Sequence, residues 1–142
     1  MSRHQQLMQQ GLAALRAGDG AAAAAAFERL LHSGSADATT YLALAFARVN
    51  LGQAEGAMTA VDQALEREPR NLRALLFKAD HLDRLGRRRS AITYYGGALR
   101  VAAGLSEVPP DVAQGLQRAR VASDGAAKEY QDYLLAALEP RG

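Results

Sequence analysis

Any chemistry in this chain has to start from very few residues. His81-Leu82-Asp83 spells an H-x-D, the order of two ligands in a two-histidine, one-carboxylate iron site. Residues two apart on a helix point about 200° apart, so this pair does not converge on one metal. Only His4 and His32 remain, and neither lies downstream to complete a triad. The pair reads as a histidine near a helix packing seam beside an exposed Asp83. There is no cysteine, which excludes thiol nucleophiles, zinc-thiolate sites and disulfides. No Gly-x-x-x-x-Gly-Lys-Ser/Thr loop and no Ser/His/Asp arrangement is spelled out. Gly18-Asp19-Gly20 falls at a turn. Gly96-Gly97 falls inside a helix, where it either admits a close backbone or costs about 1 kcal/mol per glycine. Arg84, Arg87, Arg88 and Arg89 cluster, but three of the four begin a helix. There positive charge opposes the macrodipole by a few tenths of a kcal/mol each, and Asp80 and Asp83 are near enough to offset it. They read as a solvated helix start and not as a phosphate site. The expectation is a protein without catalytic residues, cofactor or metal.

Charge and composition narrow the partners. Seventeen basic against 15 acidic residues leave a net charge of +2, and no aromatic residues interleave with the arginines. That argues against nucleic acid. The start, Met1-Ser-Arg-His-Gln-Gln, is polar and unlike a leader peptide. The run Ala21–Ala26 is too short to span a bilayer and is flanked by Asp19 and Glu28. No membrane partner is expected, and the expected location is the cytoplasm. Alanine fills 31 positions and 15 of the 17 basic residues are arginine, a usage that suggests a bacterial gene.

The elements come from an internal repeat. Gly18, Gly52 and Gly86 are 34 apart, and so are Gly11, Ala45 and Ala79. The same step relates Ala23, Ala57 and Ala91; Phe27, Val61 and Tyr95; Leu31, Leu65 and Leu99; and Leu7, Tyr41 and Leu75. This places three copies at 4–37, 38–71 and 72–105. Each reads as two helices, with apolar residues at three and four spacing such as Leu42, Ala45, Phe46 and Val49. The glycine column ends the first helix, because glycine tolerates the left-handed cap. The second helix runs, in copy two, from Ala54 to Glu68, where Pro69 stops it. The small columns let the two helices approach, and Ala60 is expected to lie off them. Phe27, Val61 and Tyr95 fill the space between copies, so stacking gives one continuous core.

These columns resemble the tetratricopeptide repeat over residues 4–105. Copy two matches most closely through Tyr41, Leu44, Ala45, Gly52, Ala57, Val61, Ala64 and Pro69. Copy one departs at Ser35, and copy three at Lys78 and Ala103. The resemblance implies an all-α fold, a right-handed superhelix of helix-turn-helix units with a concave groove that binds proteins or peptides. It implies that five positions of each first helix line that groove. These are Gln5, Met8, Leu12, Leu15 and Arg16; then Thr39, Leu42, Phe46, Val49 and Asn50; then Arg73, Leu76, Asp80, Asp83 and Arg84. The first two copies offer an apolar wall and the third a charged one. The expected partner-binding set is Met8, Leu12, Leu42, Phe46, Val49, Asn50, Arg73, Leu76, Asp80 and Arg84, with some of the apolar members alternatively touching a neighbouring helix. A related subclass clamps the carboxylate of chaperone tails with Lys and Asn. The matching positions here are Met8, Leu12, Ala43, Arg73 and Phe77, and only Arg73 fits, which excludes that subclass.

Residues 106–142 break the pattern. Ser106-Glu-Val-Pro-Pro-Asp is a turn with a helix start at Pro110 and Asp111. A stripe follows through Val112, Leu116, Ala119, Ser123, Ala127, Tyr130, Leu134 and Leu138. Its first half should cap the third copy, and Gly125 marks a place to kink or fray. Glu139-Pro-Arg-Gly142 reads as a chain end or a linker into something more. Together with Leu75–Asp80 and Leu85–Ala91, this stretch also resembles, less closely, the repeat region preceding bacterial aspartyl/asparaginyl β-hydroxylase-like domains. That likeness implies a non-catalytic accessory domain of an oxygenase. The leading reading is a non-catalytic scaffold of three repeats plus a long C-terminal helix. The alternatives are that accessory domain, or a dimerisation module using the tail helix as its contact.

Overall fold

The structure, a computed structural model, describes residues 1–140. The chain end at Arg141 and Gly142 lies outside them. Seven α-helices and one 3-10 turn are seen there: α1 (Arg3–Arg16), α2 (Gly20–His32), α3 (Ala38–Asn50), α4 (Ala54–Arg67), α5 (Leu72–Arg84), α6 (Arg88–Ala103), the turn Pro110–Val112, and α7 (Ala113–Leu138). No strand occurs among the described residues. The chain forms two compact units that divide between Ala74 and Leu75, inside the first turn of α5.

Local chemistry sets the helix ends. Ser2 and Gln5 form a reciprocal capping box on α1. The carboxylates of Asp19 and Asp37 accept from Ala22 N (3.0 Å) and Thr40 N (2.8 Å), and the Asn71 side chain accepts from Ala74 N (3.0 Å). Gly18, Gly52 and Gly86 all take φ between 73° and 78°, as the glycine column requires. Each closes the same double bond. In copy two Gly52 N donates to Val49 O (2.9 Å) and Gln53 N to Arg48 O (2.8 Å), which satisfies carbonyls left open at the end of α3. Pro69 acts one residue earlier than the sequence suggested: α4 ends at Arg67, and Glu68 is already extended at φ −134°, ψ 85°.

In the first unit α1 packs on α2, α2 on α3 and α3 on α4, and α1 also touches α3. The small column explains the close approach. A β-carbon added to Gly11 would run into the buried ring of Phe27. Ala60 was expected off the packed column, yet it is as buried as Ala57, each at 1% exposure. The reason is helical: Ala57, Ala60, Val61 and Ala64 form one stripe at three and four spacing. In the second unit α7 packs on α6 and on the 3-10 turn. It runs unbroken through Gly125, where the sequence suggested a kink. Gly96 and Gly97 admit no neighbouring backbone either, since a β-carbon there would meet only side-chain atoms of Arg100 and Leu75, at 3.4 Å or more.

Three glycine substitutions separate these roles. Gly52→Ala is expected to cost about 1–2 kcal/mol, because alanine resists the left-handed region. Gly11→Ala is expected to cost about 1–3 kcal/mol by overpacking Phe27. Gly125→Ala, with nothing within 4 Å, is expected to gain up to about 1 kcal/mol from helix propensity. Urea unfolding midpoints check all three. Equal midpoints for the Gly52 and Gly125 variants would sink the capping argument.

Candidate protein-binding surfaces

The first unit carries an apolar face on its two first helices. Met8 and Leu12 stand one turn apart on α1 and are half-buried. Phe46 and Val49 on α3 are 44% and 43% exposed, unusual for side chains of that size, and Asn50 beside them is exposed. The 34-residue step puts Phe46 where Leu12 stands and Leu42 where Met8 stands. Leu42, expected on the binding face, is instead buried at 7%. α3 packs between α2 and α4 and touches α1, whereas α1 comes first and meets fewer neighbours, so Met8 stays more open. Met8 lines a shallow depression with Met1, His4, Gln5 and Gln9. Arg73, on the first turn of α5, is exposed. Ala43, one of the clamp positions, is buried.

In the second unit the chain covers its own face. Leu76 is buried, because α7 crosses it: a β-carbon on Gly115 would lie 2.9 Å from Leu76 Cδ1. Asp80 is taken as well. Its Oδ1 accepts from the buried Tyr95 hydroxyl (2.5 Å) and from Arg118 Nε (3.0 Å), and its Oδ2 from the second Arg118 nitrogen (2.8 Å). A forked guanidinium on a carboxylate is among the stronger polar contacts proteins make. Leu76 and Asp80 are thus both engaged by the cap. Asp80 is held by Arg118, and within the arginine cluster Arg88 meets Glu129 of α7 at 3.2 Å, an exposed pair of little worth. Arg84 remains exposed.

The sequence did not reveal the Asp80–Tyr95–Arg118 network. Tyr95 was read as filler, although a buried tyrosine needs a partner for its hydroxyl. That rule pointed at a nearby polar group, and Asp80 was available 15 residues back. Nor did it reveal the cavity of about 470 Å³ lined by Asp83, Arg88, Ile92, Tyr95, Arg118 and Val121, since that space exists only once α7 is placed. His81 is half-buried and Asp83 exposed. Burial, then the charges of Arg84 and Arg87, lower the His81 pKa and favour its neutral form. Among the described residues no three His, Cys, Asp or Glu side chains group as metal ligands, and no helix is long and apolar enough to cross a membrane.

Solved structures share this arrangement of helices. The TPR2B domain of yeast Sti1, seen in complex with a pHsp70 peptide, superposes with a TM-score of 0.74 over 87% of this chain and 97% of its own, at 19% identity. The fold is that of the tetratricopeptide repeat. The type III secretion translocator chaperone SycD of Yersinia enterocolitica gives 0.74 over 89% and 85%, at 17% identity. PcrH, in complex with the chaperone binding region of PopD, gives 0.73 over 89% and 92%, at 22% identity. No protein-family model matches the chain, and no curated protein matches it in sequence. The weaker likeness to the region before hydroxylase-like domains gains nothing from these tetratricopeptide-repeat structures.

Tyr95 gives the network a pH signature. Burial first, then the Asp80 hydrogen bond and the Asp80 and Asp83 charges, push its pKa well above the ordinary phenol range, with Arg118 pulling the other way. The folded state thus holds this proton more tightly than the unfolded chain, whose phenol titrates near about pH 10. The associated stability is complete below that pH and is lost as pH rises beyond it. Tyr95→Phe is expected to lower stability at neutral pH and to narrow the gap between neutral and alkaline stability. Helical circular dichroism followed against urea at both pH values checks this. An unchanged gap would remove Tyr95 from the alkaline transition.

Proposed function

We propose that the protein is a non-catalytic interaction scaffold of three tetratricopeptide repeats, 4–37, 38–71 and 72–105, with 106–142 as turn, cap and tail. A protein or peptide partner binds the face of α1 and α3 through Met8, Leu12, Phe46, Val49 and Asn50. The single observation that carries this is the exposure of Phe46 and Val49 on a face otherwise built to pack. The fold supports it: the TPR2B domain of Sti1 and PcrH, which share it, are each seen with a peptide or protein segment. The occupant here brings an apolar helix or extended segment and not a carboxylate tail, since the clamp positions hold Met8, Leu12 and the buried Ala43. Arg73, in the same unit, would favour an acidic end on that segment. We place the protein in the cytoplasm.

Phe46 is the anchor, as the one aromatic of the set, and buried aromatic anchors commonly carry about 2 kcal/mol or more of binding energy. The test uses a displayed library of amphipathic helical peptides selected on the immobilised protein. Phe46→Ala is expected to weaken the selected peptides at least about tenfold while circular dichroism stays unchanged. Peptides that bind the parent and Phe46→Ala equally well would end the reading and move attention to the other surfaces.

A further inference from the structure

One face of α7 is used twice. In the first half of the helix Val112, Leu116 and Ala119 are buried against the second unit's own body. At the same angular position in the second half stand Tyr130 and Tyr133, 65% and 68% exposed, with Leu134 and Leu138 alongside. The helix has 26 residues against 16 in α6, or about 39 Å against about 24 Å, and Arg88 at the start of α6 meets Glu129, so the turns of α7 beyond Glu129 extend past the helix it packs on. The steps from Val112 through Leu116, Ala119, Ser123, Ala126, Tyr130 and Tyr133 to Ala137 alternate four and three without a break. That spacing is the seam of a helix made to pair lengthwise with another helix. Asp124, Lys128 and Asp132 project from the opposite face, and Glu129 flanks the seam and meets Arg88, so the seam positions themselves are uncharged.

We infer that this bare half of α7 pairs antiparallel with the same stretch of a second copy. The direction follows from the shared face. Body and partner lie on the same side of the helix, the body along the first half and the partner along the second. A parallel copy would drive its own first half into the first copy's body. An antiparallel copy runs its first half and its body away from the body that packs on the first copy's helix. A twofold axis between Tyr130 and Tyr133 then uses the whole free stretch of both chains at once and closes the assembly. It sets each Tyr130 against the partner's Tyr133 at the centre, where aromatic pairs are favourable and both hydroxyls reach water. It sets Ala126 against Ala137 at both ends, where small residues let the helices draw together. This pairing is independent of the α1 and α3 face.

The experiment is sedimentation velocity of the full chain across micromolar concentrations, with three comparisons. The parent is expected to reach twice the 15.1 kDa of one chain and to dissociate on dilution. The double variant Tyr130→Glu, Tyr133→Glu is expected to stay a monomer with parental helicity, whereas Phe46→Glu is expected to leave the dimer intact. A parent that is monomeric throughout, or a dimer that survives the double tyrosine variant, overturns the inference. Loss of the dimer in Phe46→Glu also overturns it, by placing the tail of one copy on the α1 and α3 face of another. Because the chain has no cysteine, Ala126→Cys and Ala137→Cys give a clean test of direction. The two mixed are expected to form a cross-linked dimer under mild oxidation, and neither alone. Cross-linking of Ala126→Cys with itself would show parallel pairing and refute the antiparallel arrangement.

Discussion

Everything in the first unit depends on how closely α1 can lie against α2. Gly11 sets that distance, because the Phe27 ring occupies the space a β-carbon would need. Phe27 is completely buried, so it has no route to yield. With α1 drawn onto α2, the helix that follows the Gly18 turn starts at a fixed place. Gly20 then lies so close to α3 that a β-carbon there would sit 3.0 Å from Ala47 O. One contact thus propagates from pair to pair, with Ala45 in the equivalent place in the second copy, itself fully buried. Chain direction is restored at each step by a left-handed glycine, and the short turns leave little freedom to pack otherwise.

Much of this was legible because the repeat reports each constraint three times. A lone Gly18 is one glycine among 13; Gly18, Gly52 and Gly86 in register are a statement about backbone geometry. The same redundancy located the helices and the Phe27, Val61 and Tyr95 fillers. Where the column was broken or had no second copy, the reading failed. Ala60 matches Ala26 34 residues earlier but Tyr94 34 residues later, so its burial was missed, although the three and four spacing with Ala57 and Ala64 implied it. Gly125 was read as a place to kink or fray because propensity was all the sequence offered there, yet α7 continues through it, one glycine costing only about 1 kcal/mol.

The candidate face was legible only in part, for a related reason. The repeat fixes which way a side chain points, but not what lies in front of it. Leu42, Phe46 and Val49 all lie on one side of α3, yet Leu42 is buried and the other two keep 44% and 43% exposure. Burial there depends on neighbours that differ between a first helix and an inner one. In the second unit the unread neighbour was α7. Its stripe was visible in the sequence, but not that Gly115 would pass over Leu76 or that Arg118 would reach Asp80.

That last contact explains why the second unit accepts its cap. On the 34-residue step Asp80 stands where Leu12 and Phe46 stand in the earlier copies. A carboxylate at this position, already tied to the buried Tyr95 hydroxyl, costs several kcal/mol to cover unless a cation covers it. Arg118 meets that demand with both arms of its fork, and its own pKa rises because of the Asp80 hydrogen bond. An apolar segment laid across the same place would bury the charge unpaired. An arginine such as Arg118 finds no carboxylate at the Phe46 position, and an apolar segment brings no cation to Asp80. A single change of residue type at one repeat position, from Phe46 to Asp80, thus decides whether a cap that carries an arginine can be tied there.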